Sequence, residues 1–276
     1  MTVIVTVKIN DGIVLACDSA ATFSNENGAP VKIYNNANKA FNLVKGLPIG
    51  TLACGAGGIG AASMSTITKD LRRRLSGDDK DHLDWKLPDD YTMEFVAGRV
   101  RQFLFEELYL TEYGNTPPAG FSLAYKVAGY SAGAALPELW DIRIVGDKCP
   151  DPILLRAADV CGCNWDGELD ALCRLILGVG IKFKDVLLEE GVPPEVVDEA
   201  VEKVRNRLGA PVVVEAMPIQ DAIELATFMV QTTIGFMRFN FGAETVGGPI
   251  EVAVITKHEG FKWVNRKLFF PESLNP

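Results

Sequence analysis

The sequence predicts an α+β protein in which two antiparallel sheets pack together and helices cover their outer faces. Strand patterns open the chain, two helical patterns follow, strands return, and helices again precede two closing strands. This order lacks the strand–helix alternation of a parallel sheet, so it favours packed antiparallel layers. No repeat, low-complexity tract or linker divides the chain. We therefore expect one domain, residues 1–276, built as a four-layer αββα sandwich.

The first half of the chain begins with a hairpin pattern. Residues 2–9 are rich in β-branched side chains, Asn10-Asp11-Gly12 is a tight-turn sequence, and residues 13–18 return as a strand. The hairpin should bring Asp18 back near residue 2. Further predictions for this half are a loop at 24–38, strands at 39–45 and 49–54, a helix from the glycine-rich corner 55–60 to about residue 76, and a loop at 77–90. A long helix is predicted at 91–113, because apolar residues recur there at helical spacing, at Phe95, Val96, Val100, Phe103 and Leu104.

The second half of the chain contains one strongly apolar segment. Residues 218–238 form a predicted helix behind Pro218 that looks too hydrophobic to face water on any side. We expect this helix to be buried in the core or in an interface. The other predictions for this half are strands at 120–130, 138–146 and 152–160, helices at 165–177, 183–190 and 194–208, and closing strands at 249–257 and 260–270.

Charge and composition argue against several classes of function. The chain has a formal net charge of −9, with 48% hydrophobic and 23% charged residues. An acidic balance argues against nucleic acid or an anionic membrane as the main partner. No apolar run approaches the ~18 residues of a membrane span, and the N-terminal residues lack the pattern of a signal peptide. We expect a cytoplasmic protein with neither a nucleic-acid nor a membrane partner.

The six cysteines follow neither a disulfide pattern nor a zinc pattern. In a cytoplasmic chain of this size, we expect them to be reduced small residues. Cys161-x-Cys163 with Cys173 lacks the paired spacing of structural zinc sites, and the chain has two histidines. We therefore predict neither a metal nor a cofactor.

Thr2 is the first candidate for chemistry. Initiator methionine is normally trimmed before a residue as small as threonine, and trimming of Met1 would make Thr2 the first residue. A threonine hydroxyl is a weak nucleophile that needs an adjacent base. A terminal threonine carries that base itself, because an α-amine with a pKa of ~7.7–8.0 is substantially neutral near physiological pH. The competing interpretation is that Thr2 only starts a strand.

Asp18 and Lys39 are the charged residues expected beside Thr2. Asp18 ends the hairpin that begins at Thr2, and Lys39 begins the next predicted strand. A lysine beside a terminal amine lowers the pKa of that amine and assists proton transfer, while a carboxylate orients the lysine and balances its charge. Each residue alone would be interpreted as a solvated surface charge. Their combination with Thr2 predicts a nucleophilic site.

Four further stretches of sequence carry a resemblance to a known family. They are Thr2-x-x-x-x-Val7-Lys8-x-x-Asp11-Gly12-Ile13-Val14-Leu15-Ala16-x-Asp18-Ser19-x-x-Thr22, then Lys39-Ala40-Phe41, then Thr51-Leu52-Ala53-x-Gly55-Ala56-Gly57, and finally Gly247-Gly248-Pro249-Ile250-Glu251-Val252-Ala253-Val254-Ile255. In this order they resemble proteasome β-subunits and their bacterial relatives, which are N-terminal-nucleophile hydrolases. Those relatives include HslV-type and Anbu-type peptidases and the beta-proteobacterial proteasome homologues. This chain is longer than a typical member, with family-atypical insertions near 77–90 and 178–212.

The resemblance implies a threonine peptidase (a threonine-type endopeptidase or amidohydrolase) and a role for each matching residue. Thr2 would be the nucleophile and, through its amine, the base, with Asp18 and Lys39 as the charge pair beside it. The backbone amide of Cys54 would face the developing oxyanion, where the family has a glycine. The family also implies a homo-oligomeric ring, a peptide or unfolded-protein substrate, and a separate ATP-dependent unfoldase. Substrate-binding residues would be Thr22, on an edge strand that pairs with extended peptide, and Ala21, Leu52 and Ala56, in an apolar pocket for the residue before the cut bond.

The chain departs from the family pattern at two supporting motifs. The Gly-Ser-Gly near the nucleophile corresponds here to residues 160–163, where Cys161 or Cys163 would replace the serine. The Asp-x-x-Ser before the late glycines corresponds to a segment where Glu244 or Thr245 would substitute. These residues normally support the terminal amine, so both departures bear on rate and substrate range.

Three other interpretations compete with the peptidase. Gly55–Gly60 fits the dinucleotide-binding pattern G-x-G-x-x-G, but no parallel strand with an acidic residue follows about 20 positions later. A histidine-dependent hydrolase needs a placed imidazole, whereas His82 lies in a charged run and His258 in a tight turn. The third is a catalytically weak or inactive scaffold subunit. Scaffold subunits of the family carry an N-terminal extension and lack the terminal threonine, whereas Thr2, Asp18 and Lys39 are present here.

Overall fold

The described part of the polypeptide forms two five-stranded sheets and two small two-stranded sheets. The computed structural model describes residues 2–25, 29–114 and 116–267. The strands in these ranges are β1 Val3–Ile9, β2 Gly12–Cys17, β3 Ala21–Ser24, β4 Pro30–Tyr34, β5 Ala40–Asn42, β6 Ile49–Gly55, β7 Gly58–Ile59, β8 Ala62–Ser63, β9 Ser122–Gly129, β10 Glu138–Val145, β11 Ile153–Arg156, β12 Gly162–Gly167, β13 Glu251–Thr256 and β14 Gly260–Asn265.

The two large sheets are built from different parts of the chain. The first sheet has the strand order β12-β1-β2-β13-β14, and the second has the order β11-β10-β9-β6-β5. The pairings between the named strands are all antiparallel. The predicted α+β class is confirmed. The end of the predicted strand 260–270, from residue 268 onward, lies outside the described residues.

Helices flank both sheets. The long helix predicted at 91–113 is confirmed, although its middle, Gln102–Tyr109, is π-helical, and Phe95 is 40% exposed rather than buried. No helix in the described part of the chain is long and apolar enough to cross a membrane. The α-helices are α1 Met64–Leu75, α2 Met93–Arg101, α3 Leu110–Tyr113, α4 Asp170–Ile176, α5 Phe183–Glu189, α6 Pro194–Leu208 and α7 Ile219–Phe239, with a short 3₁₀ turn at Leu83–Trp85.

Three apolar clusters join the sheets and helices. The first packs α1 and α2 against the second sheet and contains Tyr125 of β9. The next packs α4 and α7 against the first sheet and contains Val5 of β1 and Met229 of α7. The last lies between the two sheets and contains Leu15 of β2 and Leu52 of β6. Burial of apolar surface at these contacts supplies ~25 cal/mol per Å² toward folding.

The hairpin of β1 and β2 carries the start of the chain into the middle of the first sheet. All of its strand residues are buried, because β12 and β13 pair with its outer edges. Gly12 permits this packing, since a Cβ there would lie 2.6 Å from the carbonyl oxygen of Ile255 on β13. The amide of Asp18 donates to the carbonyl of Val3 at 3.2 Å. The hairpin therefore returns Asp18 to the start of β1, as the sequence predicts.

The segment predicted as a loop at 24–38 contains a hairpin instead. β3 and β4 pair with each other outside both large sheets. Phe23, Val31 and Tyr34 are more than half exposed, and the rings of Phe23 and Tyr34 make an edge contact at 5.6 Å. Because this ribbon has no buried face, its sequence lacks the apolar–polar alternation that identifies a strand. The loop prediction is wrong for this reason.

The helix predicted at 165–177 begins later than expected. Residues 162–167 form β12, which pairs with β1, and α4 starts at Asp170. The sequence of β12, Gly-Cys-Asn-Trp-Asp-Gly, is poor in strand-forming residues. Pairing with β1 overrides this local preference, because strand propensity depends strongly on tertiary context.

The apolar helix α7 is buried on one face only within the single chain. Ala222, Ala226 and Met229 face the first sheet and are fully buried. Phe228 is 49% exposed and Phe239 is 85% exposed. One face of this helix is therefore buried in the core, and burial of its other face in an interface stays a prediction.

Candidate active site

Thr2 lies directly before β1, at the edge of a cavity. The residue is 8% exposed, and its carbonyl accepts a hydrogen bond of 2.7 Å from the amide of Glu168. Its side chain has no hydrogen-bond partner among the residues that the structure describes. The backbone of Thr2 is therefore held by its neighbours, while the residue itself lines the cavity wall.

Asp18 binds four donors from separate parts of the chain. Its Oδ1 accepts from the amide of Val3 at 3.0 Å and from the ammonium of Lys39 at 2.5 Å. Its Oδ2 accepts from the amides of Ala20 at 3.1 Å and Gly247 at 3.0 Å. The side chain is completely buried. These bonds compensate the loss of hydration that a buried carboxylate would otherwise suffer.

Lys39 lies immediately before β5 and points its ammonium at Asp18. Its carbonyl accepts from the amide of Ala53 at 2.8 Å, which attaches the backbone of Lys39 to β6. The side chain is 7% exposed, and the residue also lines the cavity beside Thr2. The structure thus brings together the three predicted residues Thr2, Asp18 and Lys39.

The cavity at Thr2 has a volume of about 900 Å³. Ala21, Thr22 and Ala56 line it, in agreement with their expected place. Leu52 does not, because its side chain is fully buried in the cluster between the two sheets. The expectation that Leu52 binds substrate is therefore corrected. Successive residues of a strand face opposite sides of the sheet, and Leu52 faces the core side of β6.

Cys54 lines the same cavity at the end of β6. Burial raises the pKa of its thiol to about 11, and the nearby carboxylate of Asp166 acts in the same direction. The thiol is therefore protonated at neutral pH and is a poor competitor for the role of nucleophile. Its backbone amide stays a proposed donor to the oxyanion.

The chain was compared with known proteins by sequence and by structure. No known sequence family and no curated protein sequence matches the chain. Anbu from Yersinia bercovieri, described as an ancestral beta-subunit, matches in structure with a TM-score of 0.54 and 15% identity, over 96% of this chain and 87% of that chain. The chain shares the Anbu fold.

Two other Anbu structures support the same conclusion. A Gly-1 mutant of Anbu from Hyphomicrobium sp. strain MC1 matches with a TM-score of 0.53 and 16% identity, over 97% of this chain and 86% of that chain. A helical assembly of the Anbu complex from Pseudomonas aeruginosa matches with a TM-score of 0.53 and 17% identity, over 99% and 90%. The predicted resemblance to the proteasome-type fold is confirmed over nearly the whole chain.

Within this Anbu fold, the two predicted supporting cysteines lie far from Thr2. Cys163 is opposite Val7 in the pairing of β12 with β1. Cys161 contacts the side chain of Asn10 at 3.4 Å, in the turn after β1. Both cysteines are therefore at the opposite end of β1 from Thr2. The expectation that either replaces the family's serine is corrected, because the unrecognised strand β12 shifts the alignment along β1.

Gly167 occupies the place beside Thr2 that was assigned to the cysteines. It has a φ of +93°, and a Cβ there would lie 1.9 Å from the carbonyl oxygen of Thr2 and 3.2 Å from Sγ of Cys54. Only glycine allows this approach at that backbone conformation. The neighbouring Asp166 and Glu168 bring carboxylates into the same segment. The sequence contained a sign of this feature, because the dipeptide Asp166-Gly167 before α4 is a turn signal.

The segment before the late glycines also differs from expectation. Glu244 is exposed and makes no contact with Asp18. Thr245 is 1% exposed, and its hydroxyl has no hydrogen-bond partner among the described residues. The contact with the site is made instead by the backbone of Gly247, whose amide donates to Asp18. A main-chain donor here leaves no side-chain signature in the sequence.

A cluster of four charges, with Lys126 and Asp141 buried and Arg143 partly exposed, was not predicted from the sequence. Lys126 contacts Asp141 at 2.7 Å and Asp166 at 2.5 Å. Arg143 contacts Asp141 at 2.6 Å and Asp166 at 2.7 Å. The cluster connects β9 and β10 of the second sheet with β12 of the first. Its signal was present, because Lys126 and Asp141 interrupt otherwise apolar strands.

The glycine-rich segment Gly55–Gly60 belongs to antiparallel structure. It runs from the end of β6 through β7, and β7 pairs with β8 before α1 begins. The dinucleotide fingerprint requires a parallel strand after the helix. The described strand pairs supply none, so this loop does not form the nucleotide-binding unit considered above.

Proposed function

We propose that the chain is a threonine peptidase that hydrolyses amide bonds with Thr2 as its nucleophile after removal of Met1. One observation carries the proposal: Thr2 lines a cavity beside the buried pair of Lys39 and Asp18, which are 2.5 Å apart, and its hydroxyl has no partner in the described part of the chain. No histidine lines this cavity. The freed α-amine of Thr2 is then the general base nearest to the hydroxyl.

The proposed reaction proceeds through an acyl-enzyme ester. The α-amine takes the proton of the Thr2 hydroxyl while the oxygen attacks the carbonyl carbon of the substrate. The tetrahedral oxyanion accepts a hydrogen bond from the amide of Cys54, and one such donor contributes about 2.7–4 kcal/mol to lowering the barrier. The amine group of the departing peptide takes the proton. Water, activated by the same α-amine, then hydrolyses the ester and restores Thr2.

Lys39 and Asp18 set the protonation of the α-amine. The ammonium of Lys39 disfavours a second positive charge nearby, which lowers the pKa of the amine. Asp18 keeps the ammonium in place and, through the amide of Val3, also fixes the backbone next to Thr2.

We propose the larger context from the fold. The three apolar clusters support the αββα layer order within one domain, to which the segments near 77–90 and 178–212 are additions. An Anbu complex from Pseudomonas aeruginosa is a helical assembly, and the exposed face of α7 supports assembly of this chain as well. The substrate would be a peptide or unfolded protein in the cytoplasm, delivered by a separate ATP-dependent unfoldase.

Intact-mass measurement with a threonine-directed peptide electrophile tests the proposal. We expect the purified chain to lack Met1 and to gain one inhibitor mass, with the adduct on Thr2. Thr2→Ala should lose Met1 as well but gain no adduct, and it should hydrolyse no peptide. An adduct that persists in Thr2→Ala would exclude Thr2 as the nucleophile. Complete absence of labelling in the trimmed protein would favour the scaffold interpretation.

A further inference from the structure

The wall of the cavity formed by β10 and β12 carries one partly exposed cation. Arg143 and Asp166 both line the cavity. The side chain of Arg143 is 42% exposed, whereas those of Asp166, Asp141 and Lys126 are 13%, 3% and 2% exposed. The four charges sum to zero, but the buried members are turned away from solvent. The cluster therefore presents its guanidinium group to the cavity.

The guanidinium group of Arg143 retains unused donors. Its Nε donates to Asp141 at 2.6 Å, and its Nη2 donates to the two oxygens of Asp166 at 2.7 and 2.9 Å. Its Nη1 has no hydrogen-bond partner within the described ranges 2–25, 29–114 and 116–267. Arginine has five N–H donors in a planar fork that matches a carboxylate. The remaining donors are thus available to a bound molecule.

The surrounding charges allow the carboxylate of a bound molecule to approach Arg143. Asp166 would repel an incoming carboxylate if it were unpaired, but Lys126 at 2.5 Å compensates it from the other side. Lys39, the other cation at the cavity, is already bound to the fully buried Asp18. Among the described residues that line the cavity, Arg143 is therefore the more accessible cation, with its side chain 42% exposed against 7% for Lys39.

We propose that Arg143 determines substrate specificity by binding a carboxylate of the peptide close to the bond that is cut. This inference rests on the proposed function, because it assigns a substrate class to the same cavity. The carboxylate has two sources, an acidic side chain near the scissile bond or the free C-terminus of a short peptide. Ala21 and Ala56 belong to the apolar part of the cavity lining, together with Phe23, Met64 and Leu169. The recognised peptide therefore combines an apolar residue with a carboxylate.

Binding to the Thr2→Ala protein tests the inference without relying on catalysis. Calorimetry would compare matched peptides that contain Glu or Gln, each with a free or an amidated C-terminus. We expect the carboxylate form from one source to bind about tenfold more tightly than its neutral partner, as a charge-assisted hydrogen bond provides. The Glu–Gln comparison and the acid–amide comparison identify which source it is.

Two substitutions assign the effect to Arg143. Arg143→Lys keeps the charge but loses the fork, and Arg143→Met removes the charge, so both should abolish most of the tenfold preference. Arg156→Lys is the matched control, because Arg156 also binds neighbouring strand residues but does not line the cavity. Thermal unfolding shows whether each variant is folded. If an Arg143 variant fails to fold, the comparison of charged and neutral peptides on the Thr2→Ala protein still tests the inference, because that protein keeps Arg143.

The outcomes separate this inference from the proposed function. Equal affinities for charged and neutral peptides on Thr2→Ala, or an unchanged preference in a folded Arg143→Lys protein, would overturn the role of Arg143 even if the chain cleaves peptides. If the chain prefers carboxylate peptides through Arg143 but its Thr2 never reacts, the role of Arg143 in binding is supported and the proposed peptidase activity is rejected.

Discussion

Asp18 links three separate regions of the chain through one carboxylate. Its donors include the amide of Val3 at the start of β1, the ammonium of Lys39 just before β5, and the amide of Gly247 in the loop before β13. A buried carboxylate with this many donors is stable only as a set, because each removed partner leaves an uncompensated polar group. The residue therefore contributes to the fold and to the proposed chemistry at the same time.

Asp18→Asn is expected to lower the free energy of unfolding by about 3–5 kcal/mol, because it leaves the buried ammonium of Lys39 without its counter-ion. Urea denaturation measures this change. The matched control is Asp198→Asn, whose partner Lys184 is 2.6 Å away, close to the 2.5 Å of the Asp18–Lys39 pair, but lies on the surface. A surface pair contributes about 0–1 kcal/mol. Equal losses in the two variants would contradict the assigned role of Asp18.

Gly167→Ala is expected to slow the reaction of Thr2 with a peptide electrophile by about 100-fold, since a Cβ at this position displaces the Thr2 backbone and misplacement near 1 Å has effects of that size. Gly133→Ala is the control. Gly133 also has a positive φ, of +73°, but no atom lies within 4 Å of the added Cβ. Labelling kinetics that slow equally in both variants would show that only backbone strain matters.

At the residue scale, the sequence predicted that Thr2, Asp18 and Lys39 lie close together, because each stands at one end of a predicted hairpin strand. Their catalytic roles stay predictions. The contact of Gly247 was not predicted, because it is made by a backbone amide, which every residue except proline has. Leu52 was misplaced because the side of a strand on which a residue lies depends on the register of the neighbouring strands.

At the scale of elements, short and irregular strands were the ones that the sequence did not reveal. β12 contains two glycines, an asparagine and an aspartate, and it exists because the edge of β1 is available for pairing. β3 and β4 have no buried face. Longer elements such as β1, α6 and α7 were predicted near their observed bounds, since their periodicity reflects a face that packs against a core.

We expect the rest of the domain to fold without the helical pair α5–α6. The two helices contact mainly each other. The chain leaves and re-enters at one point, because the amide of Ala210 donates to the carbonyl of Ile176 at 2.8 Å. Gly178 and Leu208 are likewise adjacent in space.

Replacement of residues 179–208 by two glycines is therefore expected to preserve folding and to leave the labelling rate of Thr2 within about twofold, as for other excisions at closely spaced ends. Circular dichroism and labelling kinetics measure the two properties. Loss of cooperative unfolding in the shortened chain would show that α5 and α6 belong to the core of the domain.

At the scale of the whole molecule, α7 combines a buried face with an exposed apolar face. Phe228 and Phe239 are eleven residues apart, which is about three helical turns, so they lie on the same side of the helix. Large apolar residues exposed together commonly mark an interaction surface. The sequence predicted burial of the entire helix, whereas the single chain buries only one of its faces.

Assembly through α7 is expected to yield particles much larger than the 30.0 kDa chain in analytical ultracentrifugation. Phe228→Glu should shift the distribution toward the monomer, because it places a charge in a desolvated contact. Leu83→Glu is the control, since Leu83 is 63% exposed on a different part of the surface. A monomeric wild-type chain, or equal effects of the two substitutions, would contradict this interface.

The bond from Gly247 to Asp18 has a consequence for the order in which the protein matures. It joins residues 229 positions apart, so the last strands must be synthesised and docked before the carboxylate is complete. A nascent or truncated chain lacks that donor even though Thr2, Asp18 and Lys39 have all left the ribosome. We therefore expect the proposed active site to reach its final geometry only in copies whose last strands have docked.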